Sequence, residues 1–471
     1  MRRTPTSSKK DRISTRKPGA CAFPVNHIRI CVWDMHVKGP GSSRQGCSMC
    51  DTFAVGEAAT QTGSWIFAKN SDREPDEAQV VVSCPGKEYS RHQELRCTYI
   101  NIPQAPETRG VVLCKPFWIW GAEMGINEKG VVMGNEALFT RSKPEKSPGL
   151  IGMDLVRLGL ERADTARDAA DVVTSLLMRY GQGGPCGYRD KKFAYMNSFL
   201  IMDRTEIVVM ETMGRDYAIK CYQDFAAISN GTTIGRDWKK SSLPWGTDFQ
   251  AFSDPLMTWF SGSRARRAYV MERISPSGNT FGVGDAFEIL RGHRGGLPFK
   301  GLNHDVCMHA AEPFIRRSHT TGSLVVELDS SSGFRIFVTA GSSPCLTTFK
   351  PILPGNMPAG IDQGGFRYNE DSYWWRHEAF RIQAQMRLSQ VQEPLLKEIR
   401  EFEDGYCLTM PFSGWESRDS TLQSMSREAF FRSSALEASW LQALKGMAQD
   451  RRPLHNVFWK MTARRNGICL E

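Results

Sequence analysis

Cys50 has the residue type and the position of an N-terminal nucleophile. It follows Met49 directly, at the junction between a breaker-rich segment and the first strand-like run. If the chain up to Met49 is removed, Cys50 carries both a thiol and an α-amine, whose pKa of about 8 suits it to accept the thiol proton. Such a residue can attack an amide carbonyl, form an acyl-enzyme and release it with water, without a histidine partner. The competing interpretation is a small buried residue that opens a strand.

A charged cluster at residues 67–73 could complete such a site. It follows a strand-like run that the pattern pairs with the strand after Cys50. Lys69 would favour the thiolate, and Asp72 could accept a hydrogen bond from the α-amine. The alternative is a solvated charged turn after a strand.

Two asparagines, Asn135 and Asn230, also follow strand-like runs. A side-chain amide can donate to the oxyanion of a tetrahedral intermediate, so both are candidates for that role. Asn230 precedes a glycine, for which a turn is the competing interpretation. Cys307 and His309 could be a nucleophile pair or metal ligands, but no second ligand pair has suitable spacing, and we interpret them as a buried cysteine beside a surface histidine.

The elements that must position these residues are mostly short strands with pairs of helices between them. Residues 51–55 and 64–68 predict a hairpin, and residues 198–203 and 206–211 predict a second one. Further strands are predicted at 79–83, 110–114 and 130–135. Helices are predicted at 152–163, 165–180, 285–290, 375–391, 393–402 and 426–447. This arrangement favours a layered α+β fold with antiparallel sheets over a doubly wound one.

A series of short motifs occurs in the order in which one family carries them. They are Cys50-Asp-Thr-Phe53, Ala68-Lys-Asn-Ser-Asp-Arg73, Gly134-Asn-Glu-Ala137, Tyr180-Gly-Gln-Gly-Gly184, Ile228-Ser-Asn230, Cys307-Met-His309, Thr320-Thr-Gly-Ser323 and Phe349-Lys-Pro351. From about Cys50 to Pro354 the chain resembles the secernin family, which is grouped with the C69 dipeptidases.

The resemblance implies a four-layer αββα sandwich of the N-terminal-nucleophile hydrolase type, distantly related to penicillin V acylases and bile-salt hydrolases. It implies that Cys50 is the nucleophile and Asp72 the carboxylate that holds its amine. Asn135 and Asn230 fall where those acylases place oxyanion-binding and amine-binding groups. At the position of Lys69 those acylases carry an arginine. A lysine cannot form the same bidentate pair of hydrogen bonds.

Two further residues are candidates for substrate binding. Arg317, next to Arg316 and just before the motif at 320–323, is a candidate active-site arginine by a loose match. Trp120 could line a substrate pocket, although core packing is the stronger interpretation for a tryptophan.

The predicted function is a cysteine amidohydrolase, most plausibly a dipeptidase of small peptides, that needs no metal or cofactor. The alternative is a non-catalytic secernin-like regulator of exocytosis that keeps the hydrolase fold. The expected partner is a small peptide or amide substrate. The sequence leaves open whether the protein forms a homo-oligomer.

The predicted organisation has three parts: a disordered basic extension at 1–49, a hydrolase core at 50–355 and a mostly helical extension at 356–471. The extension could be a propeptide, a transit segment or upstream sequence joined to a start at Met49. Residues 1–48 carry ten basic and two acidic residues, nearly the whole net charge of +9. The remainder is almost neutral, so nucleic-acid binding is not expected of it.

The cysteine content and the N-terminal sequence also indicate a cellular compartment. Thirteen cysteines without repeated spacing, and an N-terminus that lacks a secretory layout, favour a reducing environment and a cytoplasmic protein. No run of apolar residues is long enough for a membrane helix, so membrane insertion is not expected.

Overall fold

A computed structural model describes residues 49–145, 147–275, 278–295, 298, 304–311 and 316–470. The predicted basic extension therefore lies outside the described residues, except for Met49. None of the described helices has the combination of length and apolar character needed to cross a bilayer.

The strands fall into two large sheets and two small ones. In chain order they are β1 Met49–Val55, β2 Trp65–Arg73, β3 Gln79–Cys84, β4 Lys87–Glu88, β5 Glu94–Arg96, β6 Asn101–Pro103, β7 Glu107–Thr108, β8 Val111–Pro116, β9 Met124–Asn127, β10 Val132–Leu138, β11 Met196–Met202, β12 Ile207–Met213, β13 Asp216–Tyr222, β14 Phe225–Ile228, β15 Lys240–Ser241, β16 His319–Leu328, β17 Phe334–Val338 and β18 Lys350–Ile352. The six-stranded sheet has the order β14-β1-β2-β16-β17-β18, and the eight-stranded sheet has the order β15-β13-β12-β11-β10-β9-β8-β3. Neighbouring strands in both large sheets are antiparallel.

The helices lie between groups of strands and at the end of the chain. They are α1 Gly152–Arg162, α2 Ala166–Tyr180, α3 Pro255–Phe260, α4 Ser263–Ile274, α5 Val283–Leu290, α6 Tyr373–Gln385, α7 Leu388–Tyr406, α8 Ser420–Leu444 and α9 Pro453–Asn466. Local chemistry sets some of their ends. Thr165 caps α2 by accepting a hydrogen bond from the backbone N–H of Asp168, and Gly181 ends it with a positive φ of 68°.

Three hydrophobic cores separate four layers. One core fills the space between the two large sheets, with residues such as Phe67 from β2 and Leu200 from β11. A second core packs α1 and α2 on the outer face of the eight-stranded sheet, and a third packs α4 and α5 on the outer face of the six-stranded sheet. The predicted αββα sandwich is therefore confirmed.

The predicted first hairpin forms, but β2 is longer than expected. It continues through the charged cluster to Arg73, and all nine of its residues are buried. The solvated-turn interpretation of residues 67–73 is wrong, because sheet and helix layers cover both faces of this central strand. The second predicted hairpin, β11 and β12, is also present.

The C-terminal helices differ from the prediction in their boundaries and number. The helix predicted at 375–391 is two helices, since α6 ends at Gln385 and α7 begins at Leu388. The segments α4 and α9 and the strands β17 and β18 were not predicted. Helix α8 packs on the edge strand β18, which joins this helical region to the six-stranded sheet. The predicted boundary at residue 355 stays a prediction.

Candidate active site

The pairing of β1 with β2 places Cys50 beside the charged cluster. Cys50 lies opposite Ser71, and Met49 lies opposite Asp72. The backbone N–H of Asp72 donates a hydrogen bond to Cys50 Sγ over 3.3 Å. The thiol therefore lies at the paired ends of two central strands, where the hairpin prediction put it.

Asp72 is fixed by the neighbouring strand β16. Its Oδ1 accepts a hydrogen bond of 2.5 Å from Thr320 Oγ1, which in turn accepts one of 2.8 Å from the backbone N–H of Met308. Burial raises the pKa of Asp72 well above its usual value, although Arg266 opposes this shift. Asp72 is thus a buried carboxyl group held in one orientation, and a nearby cation would favour its ionised form.

Asn230 contacts the backbone nitrogen of Cys50. Its Oδ1 accepts a hydrogen bond from Cys50 N over 3.1 Å, and its Nδ2 donates to the carbonyl oxygen of Ala137 over 2.8 Å. The sequence left two roles open for Asn230, holding the amine or stabilising the oxyanion. This geometry favours holding the amine, because the acceptor atom faces Cys50 and the donor group is directed to β10.

Arg266 on α4 belongs to the same cluster and was missed by the sequence analysis. Its Nη1 donates to the carbonyl oxygen of Cys50 over 3.1 Å and pairs with Asp51, and its Nη2 donates to Asn230 Oδ1 over 2.7 Å. Burial lowers the pKa of Arg266, but Asp51 and Asp72 outweigh it and the pKa is raised overall. The guanidinium therefore stays charged and holds both Cys50 and Asn230 in place.

Lys69 forms a buried ion pair on the inner side of the six-stranded sheet. Its Nζ lies 3.2 Å from Glu136 Oε1, which also accepts a hydrogen bond from Thr52. Gly134 leaves room for the Lys69 side chain, because a Cβ at that position would lie 2.5 Å from Lys69 Cδ. Burial lowers the pKa of Lys69, but the surrounding acidic groups, Glu136 and Glu123 among them, outweigh this effect and raise the pKa overall.

The Cys50 thiol is neutral in this arrangement, with the chain continuing through Met49. Burial raises its pKa well above the usual value, and Glu136, Glu123 and Asp72 add to the shift. Lys69 acts in the opposite direction but does not reverse it. An additional positive charge near the thiol is therefore required to favour the thiolate.

Replacing Lys69 by methionine is expected to lower the free energy of unfolding by about 3 to 5 kcal/mol, because Glu136 is left as an uncompensated buried charge. Adding Glu136→Gln should recover most of this loss. The matched control is Lys240→Met, which removes an exposed pair with Asp171 and should cost less than about 1 kcal/mol. Urea denaturation measures all four proteins. Equal losses for Lys69→Met and Lys240→Met would contradict the buried pair.

Asn135 lies on the opposite face of β10 from Glu136, because side chains alternate along a strand. Its Nδ2 donates to Asn197 Oδ1 over 3.0 Å and contacts Met153 Sδ. In the part of the chain that the structure describes, no hydrogen bond joins Asn135 to Cys50. Its role at the oxyanion stays a prediction.

The two candidate substrate-binding residues lie outside this cluster. Trp120 packs beside Arg157, whose guanidinium lies 4.3 Å from the indole centroid, in the core under α1. This is the core-packing interpretation, so the substrate-pocket assignment of Trp120 gains no support. Arg317 is half-buried just before β16, and its neighbour Arg316 pairs with Asp305 over 3.2 Å. The binding role of Arg317 stays a prediction.

Met49 is fully buried next to Cys50. It packs in a mostly apolar cluster that also contains Ile119, Ala137, Phe139, Ile151, Met153, Cys186, Phe193, Tyr195 and Met308. The residue that precedes the candidate nucleophile therefore fills an apolar site at the end of the two sheets.

Little in the sequence pointed to the missed residues. Glu136 and Thr320 lie within motifs that carried the family resemblance, but their types alone gave no role. Arg266 lies in a helix with three further arginines, Arg264, Arg267 and Arg273, a composition typical of a solvated surface. Only the approach of α4 to β1 shows that one of the four is buried.

The comparison with protein families confirms the C69 part of the predicted resemblance. Residues 49–234 match the model of peptidase family C69. The matched segment includes Cys50, Lys69, Asp72, Asn135 and Asn230, and the match supports a hydrolase of amide bonds.

Three solved structures with a similar arrangement are distant in sequence. A mutant conjugated bile acid hydrolase from Clostridium perfringens is 13% identical, with 69% of this chain and 98% of that chain covered and a TM-score of 0.40. Penicillin V acylase from Agrobacterium tumefaciens is 13% identical, with 66% and 87% covered and a TM-score of 0.38. A Caenorhabditis elegans orthologue of N-acylethanolamine-hydrolyzing acid amidase is 12% identical, with 59% and 92% covered and a TM-score of 0.31. The fold assignment rests on the sheets and layers of this chain itself.

Proposed function

We propose that this protein is a cysteine amide hydrolase that acts on small peptides, with Cys50 as its nucleophile after removal of residues 1–49. The observation that carries the proposal is the contact between Asn230 Oδ1 and Cys50 N at 3.1 Å, together with the bond from Asp72 N to Cys50 Sγ. The thiol and the nitrogen of one residue are thereby held in one buried polar cluster, as an N-terminal nucleophile requires.

The proposed reaction begins with proton transfer from the Cys50 thiol to its own α-amine. The thiolate attacks the substrate carbonyl carbon, and the α-ammonium then protonates the leaving amine as the C–N bond breaks. The product is a thioester and a neutral α-amine. The amine next takes a proton from water, the resulting hydroxide attacks the thioester, and the proton returns to the sulfur as the acid leaves.

The surrounding residues orient these groups. Asn230 accepts from the amine nitrogen, and Asp72 stabilises its protonated form. Arg266 fixes the Cys50 carbonyl and the Asn230 oxygen, so that the amine keeps its direction while it gains and loses the proton. Removal of the preceding chain also supplies the positive charge that the buried thiol lacks, because the new α-ammonium favours the thiolate.

The site that Met49 fills suggests where the substrate binds. Removing Met49 opens an apolar space beside Cys50, lined by side chains such as Ile119, Met153 and Phe193. We expect an uncharged substrate side chain in this space, with the scissile carbonyl at the sulfur. Small peptides fit this arrangement, and release of a dipeptide is the preferred reaction.

The trapped acyl-enzyme tests this proposal. The chain begun at Met49 is mixed with a set of short peptides, quenched in acid and digested, and the mass of the N-terminal peptide is measured. We expect mass additions on Cys50 that equal dipeptidyl groups and that disappear with hydroxylamine, which cleaves thioesters. Cys407→Ala should leave the additions unchanged. No addition with any peptide would contradict a peptidase and favour the regulatory alternative.

A further inference from the structure

Four side chains with nitrogen or sulfur donors converge away from Cys50. His293 follows α5, Cys307 and His309 precede β16, and Cys345 lies in the short 3-10 turn Pro344–Leu346. One donor atom from each lies within 4.8 Å of those from the other three. Cys307, His309 and Cys345 are fully buried, and His293 is partly exposed.

Three of the six donor–donor distances in this group are close to the edges of a metal tetrahedron. His309 Nε2 lies 3.2 Å from His293 Nε2, 3.3 Å from Cys307 Sγ and 3.2 Å from Cys345 Sγ. Zinc bonds of about 2.3 Å to sulfur and about 2.0 Å to nitrogen place tetrahedral ligands roughly 3.3 to 3.8 Å apart. Two thiolates and two neutral imidazoles are an ordinary donor set for Zn²⁺, and the two negative charges balance the cation.

Hydrogen bonds alone do not explain the convergence. A neutral imidazole nitrogen offers one proton or one lone pair in the ring plane, so His309 Nε2 can satisfy only one of its three neighbours. The other two polar groups would face it without bonding to it and would have to find other partners within the same buried group. A cation shared by all four groups removes this conflict.

The His293 ring is also contacted from its far side. Gln392 Nε2 lies 3.4 Å from His293 Nδ1, while Gln392 Oε1 is buried and has no hydrogen-bond partner among the described residues. A half-turn of the Gln392 amide group would let Oε1 accept a hydrogen bond from His293 Nδ1–H. That is the orientation expected when Nε2 binds a metal and an outer group fixes the other nitrogen.

We propose that His293, Cys307, His309 and Cys345 bind one Zn²⁺ in a closed tetrahedral site with a structural role. Four protein ligands leave no open position for a substrate or water, which distinguishes this site from a catalytic one. The interpretation of His309 as a surface residue is wrong, because its side chain is fully buried, and the proposal gives Cys307 a role beyond packing. The second ligand pair was not recognised because its members lie far apart in the sequence.

The site is placed to stabilise two features of the fold. Cys307 and His309 flank Met308, whose backbone N–H donates to the Thr320 hydroxyl that holds Asp72. Cys345 belongs to the core that packs α6, α7 and α8 against this region. The metal therefore supports the carboxyl group of the active site and the attachment of the C-terminal helices without contacting Cys50.

Metal content of the intact chain tests the site directly. Protein purified without chelators is analysed for bound metals by mass spectrometry of the elements, and we expect about one zinc per chain. Cys345→Ser and His309→Gln should lose most of it. Cys407→Ser is the matched control, because Cys407 is an equally buried thiol outside the group, and it should keep the full content.

A spectroscopic measurement on the unaltered chain does not depend on whether the variants fold. Replacing zinc by Co²⁺ in the unaltered chain should give the visible absorption of a tetrahedral cobalt site and a thiolate charge-transfer band. The proposal is overturned if the unaltered chain holds no zinc and Co²⁺ gives neither band. It is equally overturned if the purified chain lacks two hydrogens and digestion shows a Cys307–Cys345 disulfide.

Discussion

Cys50→Ala is expected to lower kcat/KM for peptide hydrolysis by on the order of 10³-fold or more, because the substitution removes the group that forms the acyl-enzyme. Both proteins are made as chains begun at Met49, from which the initiator methionine is removed before cysteine and alanine alike. The α-amine, Asn230 and Asp72 therefore stay in place, and only the sulfur is lost. Hydrolysis of the peptide that gives the strongest acyl-enzyme signal is the measurement.

The control for this substitution is a second buried thiol. Cys407 donates a hydrogen bond to the carbonyl oxygen of Phe349, remote from the candidate site. Cys407→Ala should change kcat/KM by less than a few fold, and thermal unfolding should show that both variants are folded. Full activity in a folded Cys50→Ala protein would remove Cys50 from the mechanism.

A chain that keeps two residues before Cys50 is expected to lose at least about 10²-fold in kcat/KM, the contribution typical of a positioned general base. Ser48→Met in a chain begun at that position leaves both the initiator methionine and Met49 attached, since an initiator methionine is not removed before a second methionine. The nearest α-amine is then displaced from the thiol, and Met49 occupies the apolar site proposed for the substrate.

The comparison protein is the chain begun at Met49, which differs only at its N-terminus. Alkylation should distinguish the two as well, because burial raises the pKa of the Cys50 thiol when the chain continues through Met49. Iodoacetamide at neutral pH should modify Cys50 much faster in the shorter protein. Equal activity and equal alkylation would mean that the α-amine is not the base.

The part of the fold that the sequence predicts is the part with regular periodicity. The hairpin of β1 and β2, the hairpin of β11 and β12, and helices α1 and α2 each show alternation or a helical repeat bounded by turn residues. The charged end of β2 was ambiguous, because residues such as Lys69 and Arg73 are typical of solvent-exposed positions and can be buried here only with charged partners elsewhere in the chain. Lys69 needs Glu136 on β10, and Arg73 needs Glu77 and Glu123.

The candidate site was predictable where its residues belong to one local motif. Cys50 and Asp72 follow from the hairpin, and Asn230 from the family motif. Arg266 and the ligand His293 depend on contacts between distant segments, which no local pattern reports. For Asn135, the family motif identified the residue as a candidate, but it did not show which face of β10 carries the side chain. Alternation along β10 directs Glu136 to Lys69 and Asn135 to Asn197.

The central claim is that the active protein begins at Cys50. N-terminal sequencing of the active fraction, purified after expression of the full chain, tests it most directly when combined with a reagent selective for 1,2-aminothiols. The account predicts cysteine at the first cycle, followed by Asp51 and Thr52, and labelling that abolishes peptide hydrolysis. Active protein whose sequence begins before Cys50, with no 1,2-aminothiol to label, would contradict it.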